Sequence, residues 1–364
     1  MHIFVQSLET GEPLELFTTF TAFTTDAFGL YTFNVEFGLM KSPQAAKDWR
    51  NTMQSVAAAT SMVKQFPRIT QIIEILPSCV VEYCFPDMRA LLKVHSEVWE
   101  QVSKYFVKSA PSNARSPQNP SRERYPTTFQ ILDNSSLLPH EKSPDRLQQE
   151  GVALLLSEEE TVARILVHAT FHFLRDPEIL AKAKQEVDSV KIAATNYHRS
   201  KKFIMMFIKA ASVRERLRLT ALVLSRFPLM ARTDLMYDKW VISAGAPVIQ
   251  ARMLFRCLRA CDPMLRPVWQ GHLDVPGRKV HFQFHGVVGR FAYLVNHIEL
   301  CNFAYAELYL PLSTLFRRFD LQLFETYRKR DIDHVRDCFL GEPDPQSPGV
   351  RVKVTSDRFA HKPY

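Results

Sequence analysis

The sequence predicts a mainly α-helical domain with a small β region, on three observations. A stretch from Pro144 to Arg175 runs without a breaker and carries two long apolar runs. Further helical patterns dominate the chain around it. Strand-like runs cluster toward the end.

The central stretch is bounded by local signals. Ser143 can cap a helix, Pro144 suits its first turn, and Asp145 is favoured there by the helix dipole. Asp176-Pro177 then ends this helix and starts the next. A helix of roughly 30 residues is about 45 Å long and can cross a whole domain. The runs GVALLL and ILVHATFHFL are apolar nearly all round, which fits a helix buried on most sides. Between them stand Glu158, Glu159, Glu160 and Thr161. Successive side chains turn by about 100°, so three acids cannot share one exposed face. At least one carboxylate is expected inside, beside a hydroxyl. A buried carboxylate must be paired, protonated or near water, and such groups mark working sites as well as solvated helix middles.

The chain has 364 residues and 46% hydrophobic content, enough for a large core in one big domain or two, and it is read as a single domain spanning 1–364. Its net charge of +8 is spread along the sequence, with Arg-rich clusters near 213–232 and 252–266. No aromatic-interleaved basic motif points to nucleic acid, and a basic face for an acidic protein or a lipid is as good a reading of the charge. The six cysteines, at 79, 84, 257, 261, 301 and 338, have irregular spacing. No second close pair completes a zinc site with Cys257 and Cys261, and buried free thiols in a reducing compartment are expected. The opening MHIFVQSLETGEPLEL lacks the pattern of a signal peptide, and no uncharged apolar run is long enough to span a membrane.

In order along the chain, 13–38 reads as an aromatic-rich helix and 43–65 as a second, opening at Ser42-Pro43, holding Trp49 and ended by Pro67. Two more helices are expected over 69–84 and 86–107. The Pro/Ser/Asn/Arg tract 108–128 reads as a mobile loop within the domain. After the central helix, 177–190 and 212–227 are amphipathic helices. No phosphate loop, nucleophile elbow or dinucleotide fingerprint is present. His168 and His172 share a face of the central helix at i,i+4, without a general-base glutamate between them. His281 and His285 alternate with Phe282 and Phe284 as in a strand. Neither pair has a third ligand to make a metal site.

Six segments in order resemble one family. They are TAFTTDAFGLYTFNVEFGLM, YPTTFQILDNSSLLPHEKSPDRLQQEG, ATFHFLRDPEILAKAKQEV, RLRLT, DKWVISAGAPV and AYAELYLPLSTLFRRFDLQLFET. Together they resemble the haem-thiolate monooxygenases of the cytochrome P450 superfamily, most closely fungal members. The resemblance covers most of 13–250 and 302–355. It implies a P450-like helical domain, incomplete at its N-terminus, as in a truncated or decayed relative.

The resemblance also implies roles. Glu160 and Thr161 fall on the family's acid–alcohol pair, which delivers protons during dioxygen cleavage. This agrees with a buried acid beside a hydroxyl. The small residues that open the family's oxygen groove are Ser157 and Glu158 here. Glu215 and Arg218 match the family's E-x-x-R, an i,i+3 pair that supports the haem core. The tract 251–300 diverges from the family's haem-binding loop. Counting back from Asn302-Phe303-Ala304, the axial-ligand position is Ile298, and the candidate thiolate is Cys301, three residues beyond it.

The function so implied is haem-dependent insertion of one oxygen atom from O2 into a small lipophilic secondary metabolite. The cofactor is haem iron, and electrons come from an NADPH-dependent reductase. The family is typically anchored at the endoplasmic reticulum, and without an anchor run this chain is expected to be cytoplasmic or peripheral. The alternative expectation is a non-catalytic helical remnant that binds no haem.

Overall fold

A computed structural model of the chain describes residues 2–65, 76–77, 80–81, 83, 94, 96–100, 102–103, 130–131, 134–135, 138–189, 228–237, 240–249, 274–275, 278–279 and 297–359. The helices expected at 69–84, 86–107 and 212–227, the tract 108–128 and most of 251–300 lie wholly or largely outside them. In order, the elements are α1 (His2–Thr10), β1 (Leu14–Glu15), α2 (Leu16–Phe33), α3 (Pro43–Gln65), α4 (Pro144–Arg175) and α5 (Pro177–Ser189). Short strands β2 (Pro228–Met230), β3 (Leu235–Tyr237), β4 (Trp240–Ile242), β5 (Pro247–Ile249), β6 (Asp274–Val275) and β7 (Arg278–Lys279) follow. The last part holds α6 (His297–Arg318), β8 (Phe319–Leu323), α7 (Arg328–Asp331), β9 (Arg336–Cys338), β10 (Leu340–Glu342) and β11 (Arg351–Asp357). The mainly helical class with a small β region stands.

Local chemistry sets the helix ends. Ser143 caps α4 by accepting a bond from Arg146 N at 3.4 Å, with Pro144 first and Asp145 in the first turn. Asp176 closes α4 and caps α5, its Oδ1 accepting from Ile179 N at 3.1 Å. α4 thus runs unbroken through the glutamate run. At the N-terminal end the expected helix 13–38 is shorter. Glu15 pairs with β11, and its carboxylate caps α2 by accepting from Phe17 N and Thr18 N at 2.9 and 2.8 Å. Asn34 closes α2 in the left-handed region at φ 56°. The chain then doubles back, because the Asp26 carboxylate accepts from Leu39 N and Met40 N at 3.1 and 2.9 Å. Gly29 lets it pass: a Cβ there would lie 2.5 Å from the Phe37 ring and 2.9 Å from Val35 O.

Two hydrophobic clusters fill the interior. The first joins Phe4, Phe17 and Phe20 to Leu166, Phe171 and Phe173 of α4, Leu312 and Phe316 of α6, and Val352 of β11. The second joins Phe28 and Phe33 to Trp49 and Met53 of α3 and Leu147 and Leu155 of α4. Burying each such side chain contributes about 1.5–3 kcal/mol relative to exposing it. α2 and α4 belong to both clusters, and on α4 the change-over falls between Leu155 and Val162.

The sheets are small and antiparallel. β11 lies between β1 and β8, with Leu14 opposite Val352 and Val352 opposite Leu323, and a bulge between Val354 and Ser356. β3–β4 and β2–β5 form two strand pairs, with β4 and β5 supplied by the DKWVISAGAPV segment. β9–β10 is a tight hairpin turning at Phe339, φ 72°. Among the described residues, no helix is long and apolar enough to cross a membrane.

Candidate functional site

The candidate site lies where α4 passes from one cluster to the other. Glu160 is buried at 6% exposure, as the packing of three consecutive acids on a core helix requires of at least one. Thr161 is half-buried, and its Oγ1 donates to Ser157 O at 2.9 Å. One residue turns the helix by about 100°, so the carboxylate and the hydroxyl leave α4 in different directions.

Glu160 faces Arg164, one turn further along the same helix. Arg164 Nη2 donates to Glu160 Oε1 at 2.6 Å and also to Glu342 Oε1 on β10. Its Nη1 donates to Gly341 O at 2.8 Å. One guanidinium therefore holds two carboxylates and a backbone carbonyl, tying α4 to the β9–β10 hairpin. All three side chains are buried. Phe17 of α2 carries this guanidinium at 4.9 Å from its ring centroid and that of Arg50, from α3, at 4.9 Å. Arg50 Nη1 is held by Glu15 Oε2 at 3.0 Å and Thr18 Oγ1 at 3.2 Å.

Burial pushes the Glu160 carboxyl above its ordinary value, and the nearby Arg164 charge does not cancel the effect. Burial opposes the Arg164 charge too, but its two carboxylates more than offset that. His168, one turn beyond, stands with its ring 5.4 Å from that of His334. Burial, then the neighbouring His334 and Arg164, hold His168 well below the usual imidazole range. Burial and Arg164 bring His334 to about 4. Gly341 runs so close to the His334 ring that a Cβ there would collide with it.

A cavity of about 460 Å³ opens beside this cluster. Arg50, Arg164, His168, Cys338 and Glu342 line it. Arg50 Nε and Arg164 Nε are buried and have no hydrogen-bond partner among the described residues.

The proximal side can be tested against haem by the register of α6. That helix begins at His297, which puts Ile298, the position that the resemblance assigns to the ligand, second in it. Isoleucine offers no ligand atom. Cys301 is fifth, about 4.5 Å further along the axis. Glu215 and Arg218 lie outside the described residues, as do His281 and His285. Among the described residues there is no cluster of three or more side chains able to hold a metal ion.

Sequence reasoning singled out Glu160 and Thr161 but missed Arg164, Glu342, Arg50 and Phe17. The i,i+4 spacing of Glu160 and Arg164 was a usable signal. Nothing local marked Glu342 as their partner.

Comparison with known proteins bears on this arrangement. The cytochrome P450 family profile matches residues 2–252, ending where the divergent tract begins. A cytochrome P450 monooxygenase of Ascocoryne sarcoides is 27% identical over 355 residues, covering 94% of this chain and 67% of the relative. An N-acetyltryptophan 6-hydroxylase of Emericella nidulans is 27% identical, covering 95% of this chain and 66% of its own length. A tryptophan 6-hydroxylase of Fusarium equiseti is 26% identical over 356 residues, with 95% and 66% covered. The chain thus spans about two thirds of the length of these curated relatives. The crystal structure of the cytochrome P450DA haem domain superposes with a TM-score of 0.63 at 15% identity, over 100% of this chain and 72% of that one, which is a likeness of fold. With 251 of its 364 residues matched by one family profile, the chain belongs to the cytochrome P450 family of haem-dependent monooxygenases.

Proposed function

We propose that the chain derives from a haem-dependent monooxygenase that inserts one atom of O2 into a small lipophilic secondary metabolite, with electrons from an NADPH-dependent reductase. The observation that carries this reading is the family match over 2–252, with the acid–alcohol pair Glu160-Thr161 at the middle of α4. The two tryptophan-type hydroxylases among its relatives support an aromatic or similarly apolar substrate. Glu160 is the candidate proton-holding group and Thr161 the hydroxyl that follows it in sequence. Glu215 and Arg218 are proposed to brace the haem core.

A second element of the reading concerns residue 298. Haem, when bound in this family, supplies the oxygen-activating iron through a cysteine thiolate. Ile298 stands at the position of that thiolate, and the α6 register puts Cys301 a turn away. As written, residues 1–364 retain the scaffold and the distal acid–alcohol pair but no axial sulphur at the family position.

The reduced, carbon-monoxide-bound absorption spectrum tests this. Residues 1–364 are expressed and supplied with hemin. The expected result is no stoichiometric thiolate-type Soret band. A full band that disappears in Cys301→Ala would overturn the ligand assignment and restore a competent monooxygenase.

A further inference from the structure

The cluster around Arg164 does not balance its charges. Two carboxylates, Glu160 and Glu342, bond to one guanidinium nitrogen, and all three side chains are buried. Of the other cations, Arg50 of α3 is engaged by Glu15 at 3.0 Å, and Arg336, opposite Glu342 in the β9–β10 register, is exposed to solvent, which screens its charge. His168 and His334 also stand near, and both are held neutral by burial and by Arg164. With both carboxylates ionised the cluster would carry an uncompensated buried negative charge, which is costly in a low-dielectric interior. One proton removes that cost. Arg164 and Glu342 border the cavity, whereas Glu160 is not among its walls. Of the two acids, Glu160 is the one shut off from the cavity, so the proton is best placed there.

We propose that Glu160 is a protonated carboxyl in the folded protein, kept so because Glu342 takes up the single charge of Arg164. Glu342 is thus a positioning residue: it acts through Arg164 on the protonation state of the acid that precedes Thr161 in sequence. The proton comes from bulk water on folding and returns to it on unfolding. The use of this proton by Thr161 rests on the monooxygenase reading; the protonation state itself does not.

The direction of the pH effect follows. A carboxyl whose folded pKa lies above its unfolded value binds its proton more tightly in the fold. Its contribution to stability is fully present below the unfolded pKa and is lost as pH rises through the folded one.

Urea unfolding of residues 1–364, without added haem, from about pH 5 to about pH 8 reads this directly. Within the titration window the unfolding constant of the wild type is expected to rise with pH by up to about tenfold per unit more than that of Glu342→Gln. The amide in that variant keeps an oxygen for Arg164 but leaves Glu160 as the only carboxylate, which then ionises as its partner. Glu160→Gln, which mimics the neutral acid, should keep wild-type stability near the acid end and lack the excess slope. Parallel pH curves for the wild type and Glu342→Gln would overturn the proposal. So would a Glu160→Gln variant as unstable at the acid end as Glu160→Ala. Because no haem enters the measurement, a failed carbon-monoxide spectrum and a failed titration are separate results.

Discussion

Arg164 and Glu342 meet across 178 residues of chain, the guanidinium of the central helix donating to the carboxylate of the β9–β10 hairpin. This bond lashes the C-terminal strands onto the middle of α4. Removing the cation alone leaves both buried acids without their partner. Arg164→Leu is expected to cost about 3–5 kcal/mol in urea unfolding at neutral pH. Replacing Arg164 and both acids by apolar residues of like volume should cost clearly less. A single variant no worse than the triple one would show that the cluster is solvated.

His334 gives a pH dependence of opposite sign to that of Glu160. Its folded pKa of about 4 lies below the ordinary 6.5, because burial and Arg164 disfavour the cation. The stability it contributes is present above 6.5 and is lost as pH falls toward 4. With its partial exposure taken into account, that loss is on the order of 2 kcal/mol. His334→Gln should flatten the fall in urea midpoint over this acid range. Equal slopes for both proteins would remove His334 from the account.

Gly29 is demanded by space. A Cβ on α2 at this point meets the Phe37 ring at 2.5 Å and the Val35 carbonyl at 2.9 Å, so the returning segment must move. Gly29→Ala should destabilise by about 1–3 kcal/mol despite alanine's better helix propensity. Thermal unfolding would check it, and a stabilised variant would contradict the close packing of 35–37 on α2.

Asp26 holds the same return from the other side. Its two oxygens satisfy the backbone N–H groups of Leu39 and Met40. Asp26→Ala leaves both donors without that acceptor at a cost of about 1–3 kcal/mol each, and Asp26→Asn should lie between it and the wild type. Amide exchange at Leu39 and Met40 gives a local readout, and both should exchange faster in the alanine variant.

The parts of the fold legible in the sequence were those fixed by neighbours along the chain. Ser143-Pro144 and Asp176-Pro177 mark α4 because capping and proline geometry act within one turn. That at least one of the three acids is buried was half legible in the step of about 100° per residue on an apolar helix, and that it is Glu160 was implied by the resemblance alone. The ends of α2 were not. Glu15 is drawn out of the helix by β11, and the bend after Asn34 depends on Asp26 reaching residues 13 and 14 positions away. The Glu160–Arg164–Glu342 cluster was half legible. Its helical pair shows in the spacing, but Glu342 comes from a strand whose placement depends on the whole tertiary fold.

The sharing of α2 and α4 between both hydrophobic clusters has a consequence for how the molecule opens. Neither cluster can come apart alone without exposing a helix on which the other depends, so the two should open together as one cooperative unit. Amides near the change-over on α4, from Leu155 to Val162, should then exchange only through that shared opening. A cavity cut in one cluster, as by Leu155→Ala, should speed exchange in the other by the same factor.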